Sequence, residues 1–450
     1  MVKRLCLLGL MLLTALLTVS AAQSQAAGPS AAPTATVESQ PLPPPGLAAH
    51  FDPDRATNAY LARIAGEARK KSDSYFEGGY WLILWDTLYA IVVSALLLFT
   101  RFSARMRNFA QGITRSRFWQ VPIYILQYVV VTAVLTFPMT VYEDFIREHQ
   151  YGLSNQNFLQ WLGDLGILFL VTLAAFTLIG TIVYAAIRAS RRFWWAWGSM
   201  IAIVFMVIAA TITPVFIAPL LNHYKPLREG ELKQHILSLA RSEGIPAHDV
   251  YEFDASRQTK RVSANVSGMF GTTRISMNDN LLNRSDERQI MAVLGHEMGH
   301  YVLSHAVTGI IEGGLVILAG FAFAAWGFGF LTGMFGGIWD VRGVDDPAGL
   351  PALTALVSVF FLVATPVTNT ITRTMEAQAD IFGVNAARQP DGFAEAALQL
   401  SEYRKLDPSP IEEFVFFDHP SGRSRISMMM HWKAEHLNDP DIKAGPVSPQ

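Results

Sequence analysis

The sequence predicts a mainly α, polytopic membrane protein with a small α/β polar region. Three observations lead there. Hydrophobic residues make up 51% of the 450 positions, charged residues 16%, and the mean hydropathy is +0.27. That is too little charge to cover a soluble surface of this size. Six apolar segments are each long enough to cross a bilayer, which takes about 20 residues. Between the fourth and fifth lies His296-Glu297-Met298-Gly299-His300, an H-E-x-x-H pattern in a stretch expected to be helical. On a helix its two histidines share one face, one turn apart, so both imidazoles can grip one Zn²⁺ while Glu297 acts on an activated water.

The chain starts with Lys3-Arg4, an apolar run from Leu5 to Val19, and then Ser20, Ala21 and Ala22. This is a secretory signal peptide pattern over 1–24, with an uncleaved membrane segment as the alternative. Cys6 is the single cysteine and lies inside it. A chain without that segment has neither disulfides nor a thiolate zinc site, so a metal must use His and carboxylate ligands. Residues 25–56 read as a disordered linker that includes Pro43-Pro44-Pro45, and a short amphipathic stretch follows at 57–72.

The N-terminal membrane region, 57–221, holds four apolar segments, Gly79–Thr100, Gln120–Val141, Trp161–Ile187 and Trp194–Leu220. Trp81, Trp85, Trp161, Trp194, Trp195 and Trp197 stand near their ends, as interfacial aromatics do. Asp86, within the first span, is either a carboxylate facing a hydrated interior or an interfacial residue. The polar region 222–305 reads as a helix at 229–243, strands at 248–254, 261–268 and 273–277 with a turn at Gly271, and the motif helix. Two further spans, Ala306–Leu331 and Pro351–Ile371, occupy 306–371. The C-terminal part, 372–440, reads as helices at 372–388, 391–405 and 420–437, and 441–450 as a disordered tail.

Arginine placement gives sidedness. Arg101–Arg117 carries five Arg and no acid, and 188–192 carries three Arg. The loop between them, 142–160, sets Arg147 against Glu143, Asp144 and Glu148. The positive-inside rule makes the first two loops cytoplasmic and puts the motif helix on the other, periplasmic side of what is expected to be a bacterial inner membrane. Lys3-Arg4 agrees and Arg69-Lys70-Lys71 disagrees. The near-neutral net charge of -2 and the lack of a basic, aromatic-laced stripe argue against nucleic acid as a partner.

A two-histidine zinc site needs a third protein ligand and an open position. Glu376 and Asp380, four apart in Arg373-Thr374-Met375-Glu376-Ala377-Gln378-Ala379-Asp380, share a helix face. Glu376 is the candidate ligand, which would make a Glu-type (gluzincin-like) site, and Asp380 the candidate acceptor for a ligating imidazole. A solvated acidic face is the other reading of that spacing.

H-E-M-G-H followed by R-T-M-E-A-Q-A-D resembles the integral-membrane CAAX prenyl protease 1 family. Further stretches are similar to it: Val141–Phe145 through Gly152–Gln156, Ile217–Leu220 with Pro226–Leu232, Asn265–Gly268 with Thr273–Ser276, and His419-Pro420 with Arg425. The match runs in order from about Tyr60 to about Trp432. The resemblance implies a ring of transmembrane helices around a chamber with the zinc site in its wall. It implies one Zn²⁺ held by His296, His300 and Glu376, Glu297 as general base, and Asp380 behind the ligands. It implies Asn265 on the substrate backbone, His419 at the oxyanion, and Arg373 or Arg425 holding carboxylates nearby. Without it, His419 and Asn265 read as loop residues and the two arginines as surface ion-pair partners. The chain departs from the family in its signal-like N-terminus and in the side its motif faces.

The expectation is a zinc metalloendopeptidase of the membrane acting on peptide or protein substrates. A non-catalytic quality-control scaffold on a protease fold is the alternative, and a transporter is weakest because no half-and-half repeat is evident.

Overall fold

The computed structural model describes residues 51–268 and 273–443. The expected signal segment, most of the linker, Gly271 and nearly all of the tail lie outside the described residues. Helix α1 (Pro53–Ala62) is capped by Asp52, whose carboxylate accepts from the Asp54 and Arg55 amides. The N-terminal membrane region then runs through α2 (Gly66–Phe99), α3 (Phe102–Ile113), α4 (Arg117–Thr140), α5 (Phe158–Ala189) and α6 (Trp194–Ile212). Helices α4 and α6 continue through π-helical turns at Val141–Arg147 and Thr213–Ile217. The polar region follows with β1 (Tyr224–Pro226), α7 (Glu231–Ser242), β2 (Val250–Phe253), β3 (Ala264–Ser267), β4 (Arg274–Asn278), α8 (Asp279–Arg284) and α9 (Glu287–Val302). Two long helices, α10 (His305–Trp339) and α11 (Leu350–Ala387), precede α12 (Pro390–Leu400), α13 (Pro410–Phe416) and α14 (Gly422–Glu435).

Six helices among the described residues are long and apolar enough to cross a membrane, which bears out the six expected spans. They run well past the apolar segments that announce them. Helix α10 has 35 residues, about 52 Å at 1.5 Å per residue, against a hydrocarbon core of roughly 30 Å. Outward residues such as Val134, Leu170, Trp326 and Val363 are exposed and apolar, as a lipid-facing surface requires. Inside, Tyr124, Ile125, Tyr128, Ile179, Ile187 and Met206 form the buried seam of the membrane part.

The sheet order is β1-β2-β4-β3, with β2 and β4 parallel and the other pairs antiparallel. β3 therefore lies at one edge. Val250, Ile275, Met277, Leu294 and Met298 form a second core where this sheet meets α9.

Several boundaries differ from the sequence reading. The expected span 351–371 and helix 372–388 are one helix, α11, because nothing breaks the chain between them and the internal Pro366 is accommodated. The expected helix 391–405 stops at Leu400. Strand β1 and helices α3 and α13 were not expected. α3 lies in the arginine loop, whose charges mask its one apolar face, and α13 is only seven residues long, too short for a periodic signal.

At one end of the bundle the two arginine-rich loops meet the α10–α11 connection. The Arg107 guanidinium is 2.6 Å from Asp346 and 2.7 Å from Asp340, and Arg191 is 2.8 Å from Asp345. The polar region stands where α10 begins and α11 ends, at the opposite ends of those two helices.

Candidate metal centre and peptidase site

Helix α9 starts on a capping box. Asp286 accepts from the Gln289 amide, and the Gln289 side chain accepts from the Asp286 amide. The helix is then packed unusually close to α11. Gly295 and Gly299 face Ala379 and Gly383, and a Cβ on Gly295 would stand 2.9 Å from the Gly383 carbonyl. Small residues on both helices let the backbones approach. That approach brings the face carrying His296 and His300 against the turn carrying Glu376.

His296 Nε2 and His300 Nε2 lie 3.1 Å apart. The Glu376 carboxylate is 3.2 Å from the first and 3.5 Å from the second. Glu376 is 1% exposed, and its Oε2 has no hydrogen-bond partner. A buried carboxylate with an unused oxygen, facing two imidazoles, is costly unless a cation sits among them. A tetrahedral ion with ligands at about 2.0–2.2 Å separates its donors by roughly 3.3–3.5 Å, close to these spacings. The three side chains thus fit a His₂Glu metal site.

The supporting shell is continuous. His296 Nδ1 is 2.7 Å from Asp380 Oδ1, which fixes Nδ1 as the protonated nitrogen and leaves Nε2 bare. Asp380, fully buried, also accepts from the Arg425 Nε at 2.8 Å and from its Nη2. Behind His300 stand His305 and Gln378, which the sequence reading did not single out. Glu297 is buried beside the cluster. Burial pushes its carboxyl up to about 8, with His296 opposing and Glu376 reinforcing that shift.

His419 comes from the loop between α13 and α14. Its Nε2 is 3.2 Å from Glu376 Oε2, and its Nδ1 is 2.9 Å from Asp418 Oδ1. Burial and then the Arg404 charge hold its pKa below the usual histidine value, against Glu376 and Asp418. Asn265 lies on edge strand β3, opposite Ser276 of β4. The two arginines are taken up within the protein. The Arg425 guanidinium is on Asp380, and Arg373 Nη1 donates to the carbonyls of Glu413 and Phe417 at 2.9 and 2.6 Å. Arg404 and Asp418 also escaped the sequence reading, because nothing in the spacing of a loop tells which side chains it folds inward.

Comparison with known proteins agrees in both halves. Residues 226–433 match the model of peptidase family M48, and 52–223 match that of the CAAX prenyl protease N-terminal region, described as five membrane helices. An uncharacterized metalloprotease, YhfN, of Bacillus subtilis is 29% identical over 76% of this chain and 79% of its own length. CAAX prenyl protease 1 of Saccharomyces cerevisiae is 27% identical over 66% of this chain and 69% of its own. The fold is similar to that of the crystal structure of S. mikatae Ste24p, with a TM-score of 0.69 at 21% identity over 84% of this chain and 95% of that one. With a peptidase region and a membrane region matched in tandem over nearly all of 52–433, the chain belongs to the CAAX prenyl protease 1 family of M48 membrane metalloproteases.

Proposed function

We propose that this protein is a zinc-dependent metalloendopeptidase that cleaves membrane-associated peptide or protein substrates on the periplasmic side of a bacterial inner membrane. One observation carries the reading most directly. His296, His300 and the orphaned Glu376 oxygen converge on one buried point with Glu297 beside it.

In this reading His296 Nε2, His300 Nε2 and Glu376 hold one Zn²⁺ per chain. Bound zinc supplies a Lewis acid that lowers the pKa of water toward ~7 and polarises the scissile carbonyl. Glu297 accepts the proton of the attacking water on its carboxylate and passes it to the leaving amine nitrogen. Its burial suits it to hold that proton between the two steps. His419 turns Nε2 toward the Glu376 side of the site; with its Nδ1–H taken up by Asp418, it is the imidazolium form that offers an Nε2–H to the oxyanion of the tetrahedral intermediate. The substrate lies extended along edge strand β3 by backbone pairing, with the Asn265 side chain as a further hydrogen-bond partner. Asp380, clamped by Arg425, keeps the His296 ring in register, and Arg373 fixes the chain leading to His419.

The test is Glu297→Gln in the purified full-length protein. Metal analysis should find about one zinc per chain in wild type and variant alike. Peptide cleavage should fall by a factor of roughly 10²–10⁴ in the variant, as removal of a general base does. Undiminished cleavage would overturn the assignment of Glu297. Zinc-free wild type of full activity would overturn the metal site.

A further inference from the structure

The two motif histidines are held from behind by different chemistry. A charged carboxylate orients His296. Among the described residues, His300 Nδ1 is met by no acid. Its Nδ1 is 2.9 Å from Nδ1 of His305, and His305 Nε2 is 3.0 Å from Oε1 of Gln378. The His300 and His305 rings meet edge to face, with centroids 5.0 Å apart. His305 is buried. On a continuous helix a residue five after His300 would point well away from it. Here Ser304 adopts φ 55°, ending α9 and restarting the chain as α10, and this break brings His305 round to the back of His300.

The proton positions follow from the acceptors. Gln378 Oε1 can only accept, so the nitrogen facing it carries hydrogen. A neutral imidazole has one N–H. With that hydrogen on Nε2, His305 Nδ1 is bare and accepts from Nδ1–H of His300. His300 Nε2 is then also bare, and its lone pair points at His296 Nε2 and Glu376. The reverse arrangement, His305 donating to His300, would set a bare nitrogen against the Gln378 oxygen. It would also put a hydrogen on the one His300 atom that faces the site.

We propose that His305 and Gln378 form a positioning relay that fixes His300 in the tautomer and orientation in which Nε2 ligates the metal. The relay rests on the zinc reading above. Its neutrality suits its place. His305 opens an apolar helix that crosses the membrane, where an ionised carboxylate is expensive. An amide and an imidazole give direction without adding charge.

The experiment is zinc affinity of the full-length protein in detergent, by competition with a chromophoric chelator, together with the visible absorption of the Co²⁺-substituted protein. His305→Phe should weaken zinc binding by roughly 10–100-fold and alter the cobalt spectrum, the usual cost of losing a ligand's hydrogen-bond partner. His305→Asn places Oδ1 where Nδ1 was and should recover most of that loss. Gln378→Glu, which keeps an accepting oxygen whether or not its carboxyl is ionised, should keep the affinity that Gln378→Leu loses. A His305→Phe protein with wild-type affinity and spectrum would overturn the relay while leaving the zinc reading intact. Equal losses in the Phe and Asn variants would also overturn it, since a merely structural role predicts that. If His305→Phe does not fold, the Gln378 pair decides, and equal affinities in Glu and Leu would overturn the relay. Wild type that binds no zinc would overturn both readings.

Discussion

Gly383 lies directly against the backbone of His296. A Cβ there would stand 2.6 Å from the His296 nitrogen and 2.9 Å from its Cα. Both neighbours are helix backbone, so neither can turn aside. Gly383→Ala must push α9 and α11 apart, and overpacking of this kind costs about 1–3 kcal/mol. The same shift separates His296 and His300 from Glu376. Misplacement of about 1 Å near reacting groups lowers rate by about 10². The expected outcome is a folded protein of lower thermal midpoint, weakened zinc binding and peptidase activity down by around two orders of magnitude. Melting curves with and without added zinc, read beside cleavage rates, check it.

Arg373 holds the backbone that leads to His419, and its loss is expected to be felt there. Its guanidinium donates to the last carbonyls around α13, including that of Phe417, which precedes His419 by two residues. Arg373→Met frees those carbonyls and lets the loop bearing His419 shift. The rate constant for cleavage should fall, by at most the roughly 10²–10³-fold expected for His419→Ala, since loss of an oxyanion donor costs that much. The double variant should be no worse than His419→Ala alone, because residues acting through one another are not additive. Steady-state kinetics of the two single variants and the double variant decide. Additive losses would show that Arg373 works on something other than His419.

How much of this was open to the sequence depends on the range of the interaction. H-E-x-x-H is readable because both histidines and the base lie within one helical turn. Glu376 and Asp380 are readable as a pair on one face, but Glu376 lies 76 positions after His300, and spacing alone leaves a solvated face open. What joins them is the contact of Gly295 and Gly299 with Ala379 and Gly383, a tertiary event that no local period announces. His305 was missed for a related reason. A helical reading carries it away from His300, and only the left-handed Ser304 brings it back. Arg425 falls in a loop-helix junction whose partner, Asp380, is 45 residues earlier.

Glu402 gives the peptidase region a pH-dependent stability. Burial pushes its carboxyl up to about 7, with Arg284, 3.5 Å away, opposing. A raised carboxyl pKa means that the folded state holds a proton which the unfolded chain has released. Stability therefore falls as pH rises from the unfolded value near 4.5 through about 7, and is flat on either side. The change is on the order of 3 kcal/mol for a shift from 4.5 to about 7. Glu402→Gln removes this titration. Relative to wild type it should raise the thermal midpoint at pH 8 and not at pH 5, measured at fixed detergent and zinc. A difference between the two proteins that is the same at both pH values would refute the assignment.

The arginine-rich end of the bundle ties sidedness to geometry. Arg107 is buried between Asp346 and Asp340, while Arg117 and Arg191 lie on Asp345, so the loops 101–117, 188–192 and 340–349 form one end. The metal cluster is on helices that begin or finish at the other end, so the two ends must face opposite compartments if α10 and α11 span the bilayer. The positive-inside rule assigns the arginine end to the cytoplasm. A cysteine introduced at Arg192, and separately one at Glu229 before α7, can be labelled in intact spheroplasts with a membrane-impermeant maleimide, in a chain carrying Cys6→Ser. The Glu229→Cys protein should label from outside and the Arg192→Cys protein only after lysis. The reverse pattern would move the catalytic site to the cytoplasm. Labelling of both sites from outside would mean that α10 and α11 do not cross the membrane.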